Sequence, residues 1–330
     1  MERAATMSES LKMRLAKAPA RLYTVDTMNA SIHVPPFSTS GRFSLPRACF
    51  VICLLVSTGA RHLISAEARP EGLLEQANDA FKKGNSAEAL VLAAKAIEAD
   101  PKNAKPYLWR GQFYEAARQH EKAISDFDHA AQLEPSTAII YQHRGSERFK
   151  LGQFKESIAD FDKFIELVPQ QAPHHWQRGI SYYYAGRYQD GRRQFELHQT
   201  VNPNDVENAV WHFLCVARVG GVDKARQTLI KIKSDGRVPM MQVYALFAGE
   251  AKPEDVLAAA NAGNPSGAER TRRFFYAHLY LGLYQEAAGE QKLARDHLIK
   301  AAEEYVVDDY MGDVARVHVA LLRAKPQKVE

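Results

Sequence analysis

The feature that most constrains this chain is a period of 34 residues. Pro101, Pro135, Pro169 and Pro203 are spaced by it, as are Gly111, Gly145 and Gly179, each directly after an arginine (Arg110, Arg144, Arg178). Phe127, Phe161 and Phe195 keep the same interval, and so do the small residues Ala89, Ala123, Ser157 and Gly191. Composition alone does not put four residue classes into one register. Within each interval, apolar residues recur at helical spacing in two runs, over 104–117 and 120–133 in the second unit.

The repeated types have a physical reading. A glycine inside a helix costs about 1 kcal/mol relative to alanine. Repeating that cost at Gly111, Gly145 and Gly179 predicts a second helix passing too close for a larger side chain. Ala77 takes that place in the first unit. Ala123 and its equivalents supply the reciprocal small residue, and Phe127 and its equivalents fill the space beside it. Each proline ends a second helix, because the residue before it is pushed out of helical geometry. One helical hairpin cannot bury its apolar face alone, so neighbours stack. The expected fold class is an all-α solenoid of antiparallel helix pairs.

These residues resemble the tetratricopeptide repeat (TPR) family. The second unit, Tyr107…Arg110-Gly111…Tyr114…Ala123…Phe127…Ala130…Pro135, follows its pattern nearly throughout. The resemblance implies a TPR-like α-solenoid with four units over 69–205. A divergent fifth unit is expected over 206–238; it keeps Ala225 and Leu229 but has Phe213 in place of the glycine, implying wider helix spacing. Residues 239–267 read as a helical insert, two short helices joined at 249–253. Residues 268–330 read as a final TPR-like unit, carrying Gly282, Ala294, Leu298 and Ala301 one residue out of phase, with a C-terminal capping helix over 308–324.

The order of elements from Gln242 to Gly282 is similar to that of the new lipoprotein I type of periplasmic TPR adaptor. That resemblance implies a homodimeric scaffold that presents substrates to a periplasmic protease and organises cell-wall hydrolases. One departure is plain. Neither Cys49 nor Cys53 follows the Leu-small-small pattern of a lipid-attachment signal, so no stable lipid anchor is expected.

The leader points to export. Residues 1–47 are rich in Ser, Thr, Pro and Arg, and an apolar run from Ala48 to Ala60 follows Arg42 and Arg47. The run is too short to span a membrane comfortably and suits the centre of a secretory signal. Ser65-Ala66-Glu67-Ala68 supplies small residues for cleavage after Ala68, with Ala60 as an alternative and Met28 as an alternative start. The expected location is the periplasm or cell envelope.

Charge excludes one class of partner. Residues 1–68 hold eight of the 43 basic and four of the 39 acidic side chains, so the remainder is balanced at 35 each. Nucleic acid needs clustered Lys and Arg, so none is expected. The expected partners are proteins or peptides, bound on the concave face formed by the first helix of each pair. Projecting that face gives Leu74, Asn78, Leu108, Gln112, Gln142, Ser146, Trp176, Ile180 and Tyr183. Such a surface suits an extended peptide, with amides for its backbone and Leu and Trp for its side chains. A chaperone-type carboxylate clamp is excluded, because Leu74, Leu108 and Gln142 stand where the clamp needs polar or basic groups.

Catalytic chemistry finds no support. The pairs Asp126/Asp128 and Asp160/Asp162 are two apart on a helix, point in different directions, and read as solvated charges. His212 and Cys215 lie three apart without a third ligand, so no metal or cofactor is expected, and Cys215 reads as a packing residue. No phosphate loop, nucleophile elbow or His-Glu zinc signature occurs. Arg270, Arg272 and Arg273 read as a solvated helix start. The function expected is an interaction scaffold or adaptor, the alternative a structural part of a secretion or pilus assembly, and an enzyme the least supported.

Overall fold

The structure, a computed structural model, describes residues 69–324. The expected leader with its cleavage after Ala68, and the end of the terminal unit over 325–330, lie outside the described residues. These fall into two compact units divided between Ala99 and Asp100. There is no strand among them.

The first unit is one hairpin, α1 (Pro70–Lys82) and α2 (Ser86–Ala99). Proline opens α1, where its missing N–H leaves no bond unmade. The two helices meet on small residues: Ala77, Ala89, Ala93 and Ala96 have no exposed surface, and Leu74 and Phe81 close the face.

The second unit continues with α3 (Ala104–Ala116), α4 (His120–Leu133), α5 (Ala138–Lys150), α6 (Phe154–Leu167), α7 (Trp176–Tyr184) and α8 (Tyr188–Gln199). The first two of these helices end within a residue of the apolar runs. Side chains cap several N-termini, as where Asn103 accepts from the Lys105 N–H at 3.0 Å. The repeated glycine does what its cost implies. A Cβ on Gly111, Gly145 or Gly179 would lie 2.5, 2.7 or 2.6 Å from the ring of Phe127, Phe161 or Phe195. All three rings are buried. First and second helices therefore lock ring against bare backbone, once per unit.

The arginine before each glycine builds a second, polar lock. Arg110 holds Asp126 through two bonds of 2.8 and 2.7 Å. Arg144 holds Asp160 of its own unit at 2.6 Å and Asp128 of the preceding unit at 2.8 Å. Arg178 reaches back to Asp162 at 2.7 Å but finds Gln194, not a carboxylate, in its own unit. This corrects the reading of Asp126 and Asp160 as solvated, while Asp128 and Asp162 keep about half their side-chain surface exposed. Asp126 and Asp160 are buried, and each is an ion-paired tie between the two helices of a pair.

In the fifth unit the pattern changes. Helix α9 (Val206–Gln227) is broken at Gly221, whose φ is 81° and ψ 169°. Only the short stretch 222–227 remains of a second helix, so Leu229 lies beyond it. Phe213 packs edge-on against Phe247 of α10 (Met240–Ala248), ring centroids 5.0 Å apart. The space a second helix would fill is thus taken by the insert. Helix α11 (Pro253–Asn261) leads to α12 (Gly267–Ala288) and α13 (Gln291–Ile299). There the close approach returns, a Cβ on Gly282 lying 2.5 Å from Leu298. A π-helical turn, Lys300–Glu304, precedes the last helix, α14 (Tyr310–Ala324).

Candidate protein-binding wall

In the second unit the first helices α3, α5 and α7 lie side by side, and side chains at fixed offsets from each glycine share one wall. Gln112 of α3 meets His143 of α5, Nε2 to Nε2, at 2.9 Å. Gln142 of α5 donates to Gln177 of α7 at 2.6 Å, and its carbonyl oxygen lies 2.7 Å from His175 Nε2. The wall amides therefore link neighbouring units to one another. Burial pushes His175 down to about 3, with Arg178 adding to it, so the imidazole is neutral and donates to Gln142.

The expected face residues divide by exposure. Leu108, Gln112, Gln142 and Trp176 are partly exposed, whereas Ser146, Ile180 and Tyr183 are buried. Leu74 and Asn78 belong to the first unit, Leu74 buried there and Asn78 partly exposed. The Tyr183 hydroxyl accepts from Arg218 Nε at 3.0 Å, and its ring stands edge-on to Trp211 at 5.4 Å. Burial raises the Tyr183 pKa above the ordinary phenol value.

The cover on the wall at α5 and α7 is the chain's own α14. Tyr310 stacks on Phe149 at 5.3 Å and meets Trp176 edge-on at 5.2 Å. His318 Nδ1 lies 2.9 Å from the Tyr184 hydroxyl. Asp313 accepts from Arg118 Nη2 at 2.6 Å and from Arg316 at 2.8 Å, with Lys150 at 3.7 Å. Lys150 also bonds Glu147 and lies 3.6 Å from Glu115.

The cluster is self-consistent electrostatically. Burial opposes charge on Asp313, but Lys150, Arg118 and Arg316 hold its carboxyl below the usual range. Burial likewise opposes charge on Glu115, yet His143 and Lys150 bring it down to about 2. Lys150 is raised despite its burial, by Glu115, Glu147 and Asp313. The projection missed Glu115 and Lys150. Both lie one helical turn beyond Gln112 and Ser146 on the same stripe, so the signal was the wall's own periodicity carried one turn further. Asp313 and His318 carried no such signal.

Elsewhere, Cys215 is buried against Gly191 and its thiol pKa is raised by that burial. His212 faces Glu196 at 3.4 Å. Arg270 lies over the Phe274 ring at 4.4 Å, and Arg273 donates to the Ala262 carbonyl at 2.8 Å. Among the described residues, no three His, Cys, Asp or Glu side chains converge as metal ligands. No described helix is long and apolar enough to cross a membrane.

Comparison with known proteins agrees with the geometry. Residues 74–137 and 138–171 match models of the tetratricopeptide repeat. The chain therefore carries tetratricopeptide repeats, and its fold is an all-α, TPR-like solenoid. A tetratricopeptide repeat protein from Parabacteroides merdae is 17% identical with a TM-score of 0.53, the match covering 77% of this chain and 98% of that one. That likeness is one of fold. The first TPR of Spaghetti (RPAP3), solved with an HSP90 peptide, is 32% identical over 31% of this chain and 80% of its own, with a TM-score of 0.30. PilF of Pseudomonas aeruginosa is 12% identical over 78% of this chain and 97% of its own, with a TM-score of 0.42. No curated protein matches the sequence.

Proposed function

We propose that this chain is an exported, non-catalytic scaffold that binds protein or peptide partners on its first-helix wall. The observation that carries the reading is the wall itself. The 34-residue register brings Leu108, Gln112 and Gln142 to one partly exposed face, mixing apolar surface with amides. Amides suit a visiting backbone and Leu a visiting side chain. Repeats of this type are typically interaction scaffolds.

Export is supported by the apolar run from Ala48 to Ala60 behind Arg42 and Arg47. The adaptor resemblance adds a cell-envelope setting, clients handed to proteases or cell-wall enzymes, and a homodimer; the residues before Cys49 and Cys53 depart from it and argue against a lipid anchor. Pull-down with the full chain and with a Leu108→Ala, Gln112→Ala, Gln142→Ala variant tests the wall. Lost partner recovery with the helical circular dichroism signal retained supports it, and equal recovery places the site elsewhere. The N-terminal residue of the mature protein tests export, and a terminus before residue 48 rejects it. Light scattering that finds only monomer at micromolar concentration rejects the dimer.

A further inference from the structure

Position 118 breaks the repeat. Gly84, Gly152 and Gly186 stand 34 residues apart with 118 as the missing member, and all three hold left-handed backbone, φ 82°, 73° and 73°. A side chain added at Gly84 or Gly186 would meet only open space, so the turn asks for glycine because of its backbone and not for lack of room. Arg118 adopts the same conformation, φ 57°, where a non-glycine residue is strained. Strain kept at one unit of a repeat, when its equivalents avoid it, points to a task for that side chain. The task is visible: its guanidinium grips Asp313, 195 residues further along the chain.

The grip fixes the first turn of α14. Asp313 sits against Arg118 and Lys150 of the repeats, and Tyr310, three residues earlier, enters the slot between Phe149 and Trp176. Slot and cationic cup both belong to the repeats, and they occupy the wall on which a partner is expected. An amphipathic helix thus already lies there, held by an aromatic and a carboxylate three positions apart, one face of a helix, and by Met311, Val314, Ala315, Val317 and Val319, which are buried in the main core.

We propose that α14 is an occupant in cis of the first-helix wall, latched by Arg118 and Asp313. Its release uncovers a groove for a partner's amphipathic helix carrying an aromatic residue and, three positions later, a carboxylate. The inference rests on the protein-binding reading of the wall and adds a partner class and a gate to it.

The test uses the full chain with Arg118→Gly and, separately, Asp313→Asn. Arg118→Gly restores the residue that the turn has in the other units, so it leaves the repeats at least as heat-stable while removing the latch. Hydrogen exchange over 310–324 is expected to rise at least tenfold in both variants, with protection over 138–199 retained. A fluorescent peptide of residues 308–324 is expected to bind both variants at least tenfold tighter than wild type. Unchanged exchange over 310–324 in both variants overturns the latch. Raised exchange without tighter peptide binding overturns the groove, and loss of protection over 138–199 shows α14 to be a structural cap, which also overturns it. If the helix stays shut while the Leu108, Gln112, Gln142 variant loses its partners, the gate falls and the binding wall stands.

Discussion

Replacing Gly145 with alanine tests the packing on which the whole repeat depends. The new Cβ would lie 2.7 and 2.8 Å from two carbons of the Phe161 ring and 3.2 Å from Asp160 Cβ. Carbon contacts settle at about 3.5–4.0 Å, so the ring must retreat by roughly 0.8 Å, and Phe161 has no exposed surface toward which to move. Asp160 cannot yield easily either, being tied to Arg144 and Arg148. Overpacking of this kind costs about 1–3 kcal/mol, against a gain of about 1 kcal/mol from the better helix former. The expected net is a loss of up to about 2 kcal/mol, read as a lower urea midpoint by far-ultraviolet circular dichroism. Gly236→Ala is the control, because its Cβ would meet nothing within 4 Å; it should hold the midpoint. Phe161→Leu in the Gly145→Ala background should cost less than it does alone, since the smaller side chain relieves the clash. A Gly145→Ala protein stabilised by about 1 kcal/mol, the gain that helix propensity alone would give, refutes the close-approach argument.

Other outcomes follow from the polar locks and buried groups. Arg110→Met strands the buried Asp126, whose side chain is 5% exposed against 23% for Arg110. A loss of about 3 kcal/mol is expected, the low end for breaking a buried pair. Arg178→Met, which loses the half-exposed Asp162 and leaves the buried Gln194 carbonyl oxygen unpaired, should cost less, about 1–2 kcal/mol in the same assay. Burial and His297 lower His278 to about 4, and burial lowers His175 to about 3. Each therefore binds fewer protons folded than unfolded; their stabilisation is complete above about pH 6.5 and shrinks as pH falls below it, by about 1.4 kcal/mol per unit per group at most. Urea midpoints from pH 7.5 to 4.5 should show that fall, and His278→Gln should flatten it. Cys215, buried with a raised thiol pKa, should resist alkylation in the native state and react at the rate of unfolding, as followed by peptide mass spectrometry at that residue.

The fold was legible in the sequence where one local rule recurs. Gly111 with Phe127, sixteen residues apart, is a contact inside one hairpin, and its repetition at Gly145, Gly179 and, shifted by one, Gly282 spelled out the helix pairs. The same offset joins Arg110 to Asp126, but each aspartate was read against its neighbour two residues away rather than against the arginine on the facing helix. What remained hidden was long-range. In sequence α14 has an apolar stripe and polar residues between, and Asp313 and His318 look like its water-facing side. They are buried because a wall built more than a hundred residues earlier supplies Arg118, Lys150 and Tyr184. The fifth unit's early stop was written in Gly220-Gly221, whose weight against Ala225 and Leu229 could be judged only once α10 was seen in the vacated space.

The arginine ties have a consequence for how such a chain changes length. Arg144 clasps Asp128 behind it just as Arg178 clasps Asp162, so the two junctions joining the units of Arg110, Arg144 and Arg178 use the same pair of ends. Excising or duplicating one whole 34-residue block leaves each new neighbour with a matching clasp, as links in a watch strap can be added or taken out. The fittings that do not survive such tailoring are those of α14, and the longest of them, from Arg118 to Asp313, measures the strap at its present number of links.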